Sequence, residues 1–518
     1  MKNLHLWFLF IVLLSGIFPA GAYSFQVDGI YYEVTGNEAS VTSKTGGVSN
    51  SYSGDVVIPS TVSYEGNTYS VTSIGWFAFS DCSDLTAITL PNTITSIGWK
   101  AFSECSRLTS IILPPSLTAI EYMSFSGCSG LTSVSIPDEV TTIGEYAFYA
   151  CTGLSTVEIG NSVTSIDNYA FENCIGLTAV TIPDAVESIG TRAFSNCRSL
   201  TMLSLGNSVE RIGNGAFVNC IGLTAVTIPN SVTSIGSSAF SGCSGLTSIT
   251  IPESVANIEA GAFGGCSSLG FVEVSEENPY YSSVEGVLYD KDKTTLYFCP
   301  VVKTEVRIPE TVTTIGNGAF EDCIGLTEVI IPNSVKTIGN NAFENCSGLT
   351  EVTIPNSVTN IGTDSFRGCS KLEEVTIPEG VMSIGEAAFF DCTALTTIVS
   401  KAVTPPTVYW GTFIQSHYEN ATLYVPAGSK SAYQKASYWS NFTNIMESPT
   451  GVESVDNNDM RVYAAGHTLY VEHVDEAYRV YTAMGQLVYA GDESTVLLPG
   501  AGLYIVCAGN RSQKVWVK

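Results

Sequence analysis

Cysteine is the most reactive residue type in this chain, and its spacing is periodic. Thirteen of the fifteen cysteines fall 23 residues apart in two runs, at positions 82–266 and 323–392. If each occupies the same place in a stacked repeat, neighbouring Cα atoms lie about 4.8 Å apart with parallel Cβ vectors, which opposes disulfide bonds. A straight row of thiols cannot form a tetrahedral metal site either. We therefore predict reduced, buried cysteines that act as small apolar fillers, with Cys299 and Cys507 outside the row.

Residues that could act as catalysts are sparse. Beyond the N-terminal stretch the histidines are His417, His467 and His473, and none of them lies in a regular repeat. A serine or cysteine nucleophile within the repeats would therefore lack a histidine base. The sequence contains no phosphate-binding glycine loop, no histidine-rich metal motif and no calcium loop. We predict no catalytic residues, no metal and no cofactor, and hence a protein that is not an enzyme.

One set of carboxylates does recur with the repeat. Glu328, Glu351 and Glu374 occupy the same outward position in three consecutive repeats, and Glu373 borders the last of them. Like charges on neighbouring strands repel, so the row is either solvated by water or neutralised by a cation or a basic partner. We take these four glutamates as a candidate ligand face, with Ca²⁺ or a basic peptide as the fitting ligand. A glycosidase would need a pair of carboxyl groups in a cleft, and nothing in the sequence indicates such a cleft.

The elements that position these residues come from one 23-residue unit, typified by residues 228–250. Each periodic cysteine has Phe three residues before it, Leu three after it and Ile eight before it, so every repeat adds the same four side chains to one core. Residues 223–229 alternate apolar and polar, which predicts a short strand. Ala239, Phe240 and Cys243 have the spacing of one turn of helix or 3₁₀ structure. A unit that cannot bury its own apolar face must stack on copies of itself.

The pattern Leu-x-x-Val-x-Ile-Pro-x-x-Val-x-x-Ile-Gly-x-x-Ala-Phe-x-x-Cys resembles the BspA-like class of leucine-rich repeat. The resemblance implies an α/β repeat fold, a right-handed solenoid of 23-residue coils that is β-rich, has short helical turns and carries a parallel sheet along one face. We place the solenoid at residues 71–399, with a projecting hairpin insert at 275–305. A β-rich cap at 23–70 and a C-terminal cap at 400–448 would cover its two ends.

Both ends of the chain carry features of export. Residues 1–22 combine Lys2, an apolar run and a small-residue cleavage site, which predicts a signal peptide that is too short to span a membrane. Residues 449–459 form a polar linker, and residues 460–518 form a small all-β, β-sandwich-like domain. Val480-Tyr481, Gly502-Leu503-Tyr504 and the terminal segment 514–518 resemble a type IX secretion sorting domain, although an Asn-Pro pair usual at its start is absent. We expect export through the general secretory pathway to the extracellular space or the outer-membrane surface.

The charge balance excludes two classes of partner. With 22 basic and 49 acidic residues the formal net charge is −27, which opposes binding to nucleic acid and to anionic membranes. No later stretch is apolar enough for a transmembrane segment. The family resemblance implies a non-catalytic secreted or cell-surface protein that adheres to host matrix or bacterial surface proteins. Two alternatives stay open, a glycan-binding protein for nutrient capture and a self-associating structural protein, and we expect a monomer.

Overall fold

The computed structural model describes residues 23–47, 50–447, 461–465, 468–472, 477–482, 486–499, 502–508 and 511–517. The chain divides into two compact units, Met1–Leu423 with Ala432–Ile445 and Tyr424–Ser431 with Met446–Lys518, which are described separately. The predicted signal peptide at 1–22 and the predicted linker at 449–459 lie outside the described residues. Within the described ranges, no helix is long and apolar enough to cross a membrane.

The first unit is a β-solenoid of about 16 turns with coils of ~23 residues, which confirms the predicted repeat fold. Each regular coil except the one at residues 108–113 contributes a strand from its Leu-Thr-x-Val-x-Ile segment, and we call this series the first ladder. Val226 is buried while Ala225 and Thr227 are exposed, so the alternation decides which side chains enter the core. The strands of the first ladder are Gly54–Val57, Leu85–Thr89, Ser133–Ser135, Thr156–Glu158, Ala179–Thr181, Met202–Ser204, Ala225–Thr227, Ser248–Ile251, Phe271–Val274, Glu305–Arg307, Glu328–Ile330, Glu351–Thr353, Glu374–Ile377 and Thr397–Ser400.

A second series of parallel strands, which we call the second ladder, was not predicted from the sequence. Ser188 pairs with Arg211 and Arg211 with Ser234, so each residue faces its equivalent in the next coil. Strands of two residues have no alternation to detect, which is why the pattern missed them. The strands of the second ladder are Ser96–Ile97, Ala119–Ile120, Thr142–Ile143, Ser165–Ile166, Ser188–Ile189, Arg211–Ile212, Ser234–Ile235, Asn257–Ile258, Thr314–Ile315, Thr337–Ile338, Asn360–Ile361, Ser383–Ile384 and Thr407–Val408.

The predicted helical turn at Ala239, Phe240 and Cys243 is instead a pair of tight turns. The Cys243 N–H donates to the Phe240 carbonyl at 3.2 Å, but Ser238 has φ 55° and Gly242 has φ 70°. Left-handed residues at this interval interrupt the right-handed backbone of a helix. The same two places, before the Ala and before the Cys, are left-handed in most other coils as well.

These turns form a third set of contacts between coils, which we call the corner ladder. The N–H groups of three alternate residues in one coil donate to three carbonyl oxygens of the next coil. In the coil that contains Phe240, these bonds run from Ser238, Phe240 and Gly242 at 3.2, 2.8 and 2.8 Å. The corner is therefore held by backbone hydrogen bonds, which explains why its side chains can vary from coil to coil.

A column of stacked phenylalanine rings fills the core beneath the corners. The rings of Phe171 and Phe194 lie 5.1 Å apart with an interplanar angle of 6°. Tyr52 packs against the first ring of the column, Phe79, at 4.5 Å, and Phe413 stacks on Phe389 at the other end at 5.6 Å. Offset stacking of this kind adds to the free energy gained from burying the rings.

The insert contains three strands, Tyr281–Val284, Val287–Asp290 and Thr295–Phe298. The first two pair antiparallel, and the third pairs parallel with Thr314–Ile315 of the second ladder. The second and third strands pair antiparallel, so the predicted hairpin is present. It does not project from the solenoid, because Leu288 and Phe298 are buried and hold the insert in line with the coils.

The ends of the first unit are built from additional elements. At the N-terminal end five strands cover the first coils. At the C-terminal end short helices cover the last coils. The N-terminal strands are Phe25–Val27, Ile30–Thr35, Glu38–Thr42, Thr61–Tyr64 and Asn67–Ile74. The C-terminal elements, some of which extend into the second unit, are the helices Gln415–Asn420 and Lys430–Tyr433, the 3₁₀ helix Trp439–Asn441 and the strands Thr422–Val425 and Asn444–Glu447.

The described part of the second unit beyond residue 460 is all β and contains two antiparallel sheets. Val480, Leu469 and Val506 are fully buried and belong to the core of this unit. One sheet contains Arg461–Ala465, Thr468–Glu472 and Thr495–Leu497. The other contains, in spatial order, Leu487–Gly491, Tyr478–Thr482, Gly502–Ala508 and Arg511–Val517.

Candidate functional site

The predicted glutamate row lies on the exposed side of the first ladder. Glu328, Glu351 and Glu374 are all exposed, and Glu351 is in register with Glu374. Glu328 is in register with Glu305, which adds a fourth carboxylate to the row. Sequence reasoning missed Glu305 because its coil follows the insert and lacks the periodic cysteine. Glu373 is exposed beside Glu374, and its backbone N–H donates to the Thr350 carbonyl at 3.4 Å.

The geometry of this glutamate row suits a basic partner better than a metal ion. Among the described residues, no group of three or more histidine, cysteine, aspartate or glutamate side chains is placed to hold a metal ion. Carboxylates on successive parallel strands lie in a line instead of converging on one point, and Ca²⁺ needs six to eight converging oxygen ligands. A line of negative charge can instead face a line of basic side chains.

The cysteines are placed as structural residues. All thirteen periodic cysteines are buried and outside any disulfide bond, as their spacing predicts, and so is Cys299. What the sequence did not reveal is that the Cys243 thiol donates to the Phe217 carbonyl of the preceding coil at 3.2 Å. Burial raises the pKa of the Cys82 thiol to about 11 and that of the Cys220 thiol to about 12. Because the thiolate is the nucleophile, a raised pKa makes these thiols unreactive near neutral pH.

His417 is buried in the C-terminal part of the first unit. Its Nε2 lies 2.8 Å from the Cys392 carbonyl, and the Ile414 N–H points to Nδ1 at 3.4 Å. The tautomer with a proton on Nε2 satisfies both contacts. Burial lowers the pKa of His417, which keeps the ring neutral. Both nitrogens have partners, so His417 has a structural role; His467 and His473 lie outside the described residues.

An exposed line of aromatic side chains runs over the corners of the first coils, and we call it the aromatic stripe. It consists of Trp76, Trp99, Tyr122, Tyr146 and Tyr169. Trp76 is 52% exposed and Trp99 is 39% exposed, while the three tyrosines are half-buried. Five successive coils therefore place an aromatic side chain on one surface.

The rings of the aromatic stripe contact one another from coil to coil. The rings of Trp76 and Trp99 stack at 5.4 Å with an angle of 11°, and those of Tyr146 and Tyr169 stack at 4.6 Å with an angle of 2°. Tyr122 meets its neighbours edge to face, at 6.2 and 6.1 Å. The stripe is thus a continuous ridge in which every ring contacts at least one neighbouring ring.

Two details hold this ridge in place and give it a negative border. The Trp99 indole N–H donates to the Glu121 carboxylate at 3.0 Å. A Cβ at Gly98 would lie 2.4 Å from the Trp76 ring, so glycine at this position makes room for the indole. Glu145 lies close enough to Tyr146 to contribute, after burial, to raising the pKa of that phenol.

The backbone of the corner does not require aromatic residues. In the following coils the same two positions carry small or polar residues, and the corner ladder is nevertheless formed. These residues are Thr191 and Arg192, Asn214 and Gly215, and Ser237 and Ser238. Aligning the repeats by their isoleucines and reading the second and third residues after each one would have revealed the stripe from the sequence.

The same coils carry a depression on the first ladder. Residues 109–113 form no strand, and Ile112 is 87% exposed. The depression has a volume of about 640 Å³ and is bordered by Asp138, Glu139 and Glu158. It combines apolar surface with carboxylates, as the aromatic stripe does.

The repeat matches a known family. The sequence profile described as the BspA type leucine rich repeat region, with 6 copies, matches residues 66–178, 164–283 and 293–409, more than half of the chain. No curated protein is similar enough to count as a relative.

Solved structures share the fold. A leucine-rich repeat protein from Bacteroides ovatus is 28% identical, covers 75% of this chain and 100% of its own length, and has a TM-score of 0.50. A leucine rich cell surface protein from Faecalibacterium prausnitzii is 26% identical, covers 84% of this chain and 96% of its own, and has a TM-score of 0.48. The pneumococcal vaccine antigen PcpA is 21% identical over 83% of this chain and 100% of its own, with a TM-score of 0.50, a likeness of fold alone.

Proposed function

The chain belongs to the family of BspA type leucine-rich repeat proteins, and on this premise we propose that it is a non-catalytic protein of the cell surface that binds another protein. The observation that carries the proposal is the aromatic stripe. Tryptophan and tyrosine are enriched among the residues that dominate protein interfaces. A ridge of them on the surface of a repeat protein is therefore a candidate anchor for a partner.

The orientation of the rings favours a protein partner over a glycan. Sugars stack on open aromatic faces, whereas the faces of Trp99 and Tyr146 are occupied by neighbouring rings. Ring edges and phenol groups pack well into the apolar pockets of a protein surface. A glycan is therefore the second candidate for the partner.

The charges near the stripe and on the first ladder favour a basic partner. Glu121 and Glu145 border the aromatic stripe, and Glu305, Glu328, Glu351 and Glu374 form the row on the first ladder. Complementary charge would raise the association rate and make it fall with ionic strength. We propose an extracellular protein with a basic surface, from the host matrix or from another bacterium.

A binding panel tests this proposal. The chain is immobilised and exposed to purified extracellular matrix proteins, to matched acidic and basic variants of one of them, and to a glycan panel. We expect binding to a basic protein that weakens as salt is raised, and no glycan signal. Binding to glycans alone would overturn the proposal in favour of nutrient capture. Growth of the particle size with concentration in light scattering would instead favour a self-associating structural protein.

Location outside the cell is part of the same proposal. It is supported by the signal-like residues 1–22 and by the resemblance of residues 460–518 to a sorting domain. Intact cells that produce the chain with or without residues 460–518 are labelled with a reagent that does not cross membranes. We expect labelling of the complete chain and its loss in the shortened one. Equal labelling of both would refute a sorting role for the second unit.

A further inference from the structure

Beside the insert, one coil in the described part of the first unit lacks all three hydrogen bonds of the corner ladder. In the regular coils three alternate N–H groups donate to the next coil. One coil before the insert, the equivalent groups belong to Gly261, Phe263 and Gly265, and none of the three has a hydrogen-bond acceptor there. Phe263 is only 1% exposed. A buried N–H group without an acceptor costs free energy, so this row of donors is unusual for a packed repeat.

The insert is the cause of this interruption. Its last strand leads into Cys299, whose N–H donates to the Ala319 carbonyl at 2.7 Å and so restores one corner hydrogen bond toward the coils that follow. Toward the preceding coil it offers Phe298, whose ring meets the Phe263 ring at 5.8 Å and 63° instead of stacking on it. The insert therefore has one corner hydrogen bond to the following coil and none to the preceding one.

The opening is a notch with a volume of about 290 Å³. Gly261, Phe263 and Gly264 line it on one side, and Tyr297 and Phe298 line it on the other. An added Cβ at Gly264 would have no neighbour closer than 3.4 Å, so this wall leaves free space. The notch thus combines a row of backbone donors, an apolar floor and room for further atoms.

We propose that this notch binds a turn-forming segment of a partner protein in which a small residue precedes an apolar one. The donors lie on alternate residues, and in the regular coils such donors bond to alternate carbonyl groups of the next corner. A segment that adopts the same turns therefore presents its carbonyl groups at the matching interval. The segment thereby replaces the missing corner of the next coil. Its apolar side chain packs against Phe263 and Phe298, where the ring column is not continuous.

The inference deepens the proposed function and rests on it in one respect, since it requires a protein partner. It places the contact on a surface other than the aromatic stripe. The notch and the aromatic stripe can be mutated separately. Binding at the unmutated surface then serves as an internal control for a variant that loses binding at the other.

A synthetic peptide with the corner sequence of the preceding coil serves as the probe. It carries Ile-Gly-Ser-Ser-Ala-Phe-Ser-Gly, as in residues 235–242, with a fluorescein label. We expect the fluorescence anisotropy of the peptide to rise on titration with the complete chain. We also expect amide hydrogen exchange in residues 259–266 to be faster than in residues 236–243 without peptide, and to slow when peptide is added.

The variant Gly264→Trp fills the notch, and Ser241→Trp is its matched control one coil earlier, where the corner ladder is intact. The equivalent position holds Tyr149 and Phe390 in other coils, so a large side chain is compatible with the fold. We expect Gly264→Trp to weaken peptide binding by about tenfold or more, and Ser241→Trp to leave it unchanged. Equal unfolding temperatures of the two variants would exclude misfolding as the cause.

Several results would overturn the inference. One is the absence of peptide binding to the unmodified chain at about 1 mM peptide. Another is equal binding by both tryptophan variants. A third is slow exchange of residues 259–266 that depends on the concentration of the chain alone, because a second copy would then fill the notch. If the peptide fails while a basic extracellular protein still binds the aromatic stripe, the notch proposal fails and the proposed function stands.

Discussion

The substitution Phe194→Leu tests whether ring stacking, beyond apolar burial, stabilises the coils. The Phe194 ring is fully buried and stacks on Phe171 at 5.1 Å and on Phe217 at 5.5 Å, with angles of 6° and 5°. Leucine keeps most of the buried apolar area but removes both aromatic pairs. Each pair contributes about 0.5–1.5 kcal/mol beyond burial, so we expect a loss of about 1–3 kcal/mol in the free energy of unfolding. Phe194→Ala also leaves a cavity and should cost about 3–5 kcal/mol.

Urea unfolding of the complete chain, followed by near-ultraviolet circular dichroism, measures these losses. Phe271→Leu is the control, because Phe271 is 46% exposed and lies on the first ladder outside the ring column. We expect that control to change the free energy of unfolding by less than about 0.5 kcal/mol. A double-mutant cycle of Phe194→Leu with Phe217→Leu isolates the stacking of that pair. A coupling energy near zero would refute the contribution of stacking and would show that the rings stabilise the coils through apolar burial alone.

Three further predictions follow from the backbone, the thiols and the buried histidine. Ala387 has φ 52°, where an L-residue costs about 1–2 kcal/mol. Ala387→Gly should therefore stabilise the chain by about 0.5–1 kcal/mol after the added entropy of the unfolded state, while Ala388→Gly, at a fully buried position, should destabilise it in the same thermal melts. The fourteen buried cysteines should not react with a thiol reagent until the chain unfolds, and prompt reaction of several of them in native buffer would contradict the account. Burial lowers the pKa of His417 from the usual 6.5, so the unfolded chain binds a proton that the folded chain does not. Stability should thus fall as the pH drops below about 6.5 and level off below the folded pKa, and His417→Gln should make this fall smaller.

Spacing alone predicted the core of the repeat. The recurrence of Phe, Cys, Leu and Ile at fixed distances identified side chains that the structure buries, because a column of equivalent positions can face only one environment in a stacked repeat. The strand around Val226 followed from its alternation.

The remaining features depend on backbone geometry that residue type does not fix. Ser238 adopts a left-handed conformation although it is not glycine, so the corner that resembled a helical turn became a pair of turns. The insert joined the second ladder because Leu288 and Phe298 face the core, which length alone could not reveal. The aromatic stripe was not predicted because the constant columns define the repeat, whereas the stripe occupies a column whose residue types vary from coil to coil.

The most direct test of the central claim compares the affinity of three chains for the basic extracellular protein selected by the binding panel. They are the unmodified chain, a Trp76→Ser and Trp99→Ser double variant, and Trp410→Ser, whose indole is 67% exposed but lies outside the aromatic stripe. We expect the double variant to bind about a thousandfold more weakly, since two interface tryptophans contribute about 2 kcal/mol each, and we expect Trp410→Ser to bind as the unmodified chain does. Equal affinities for all three chains would contradict the account.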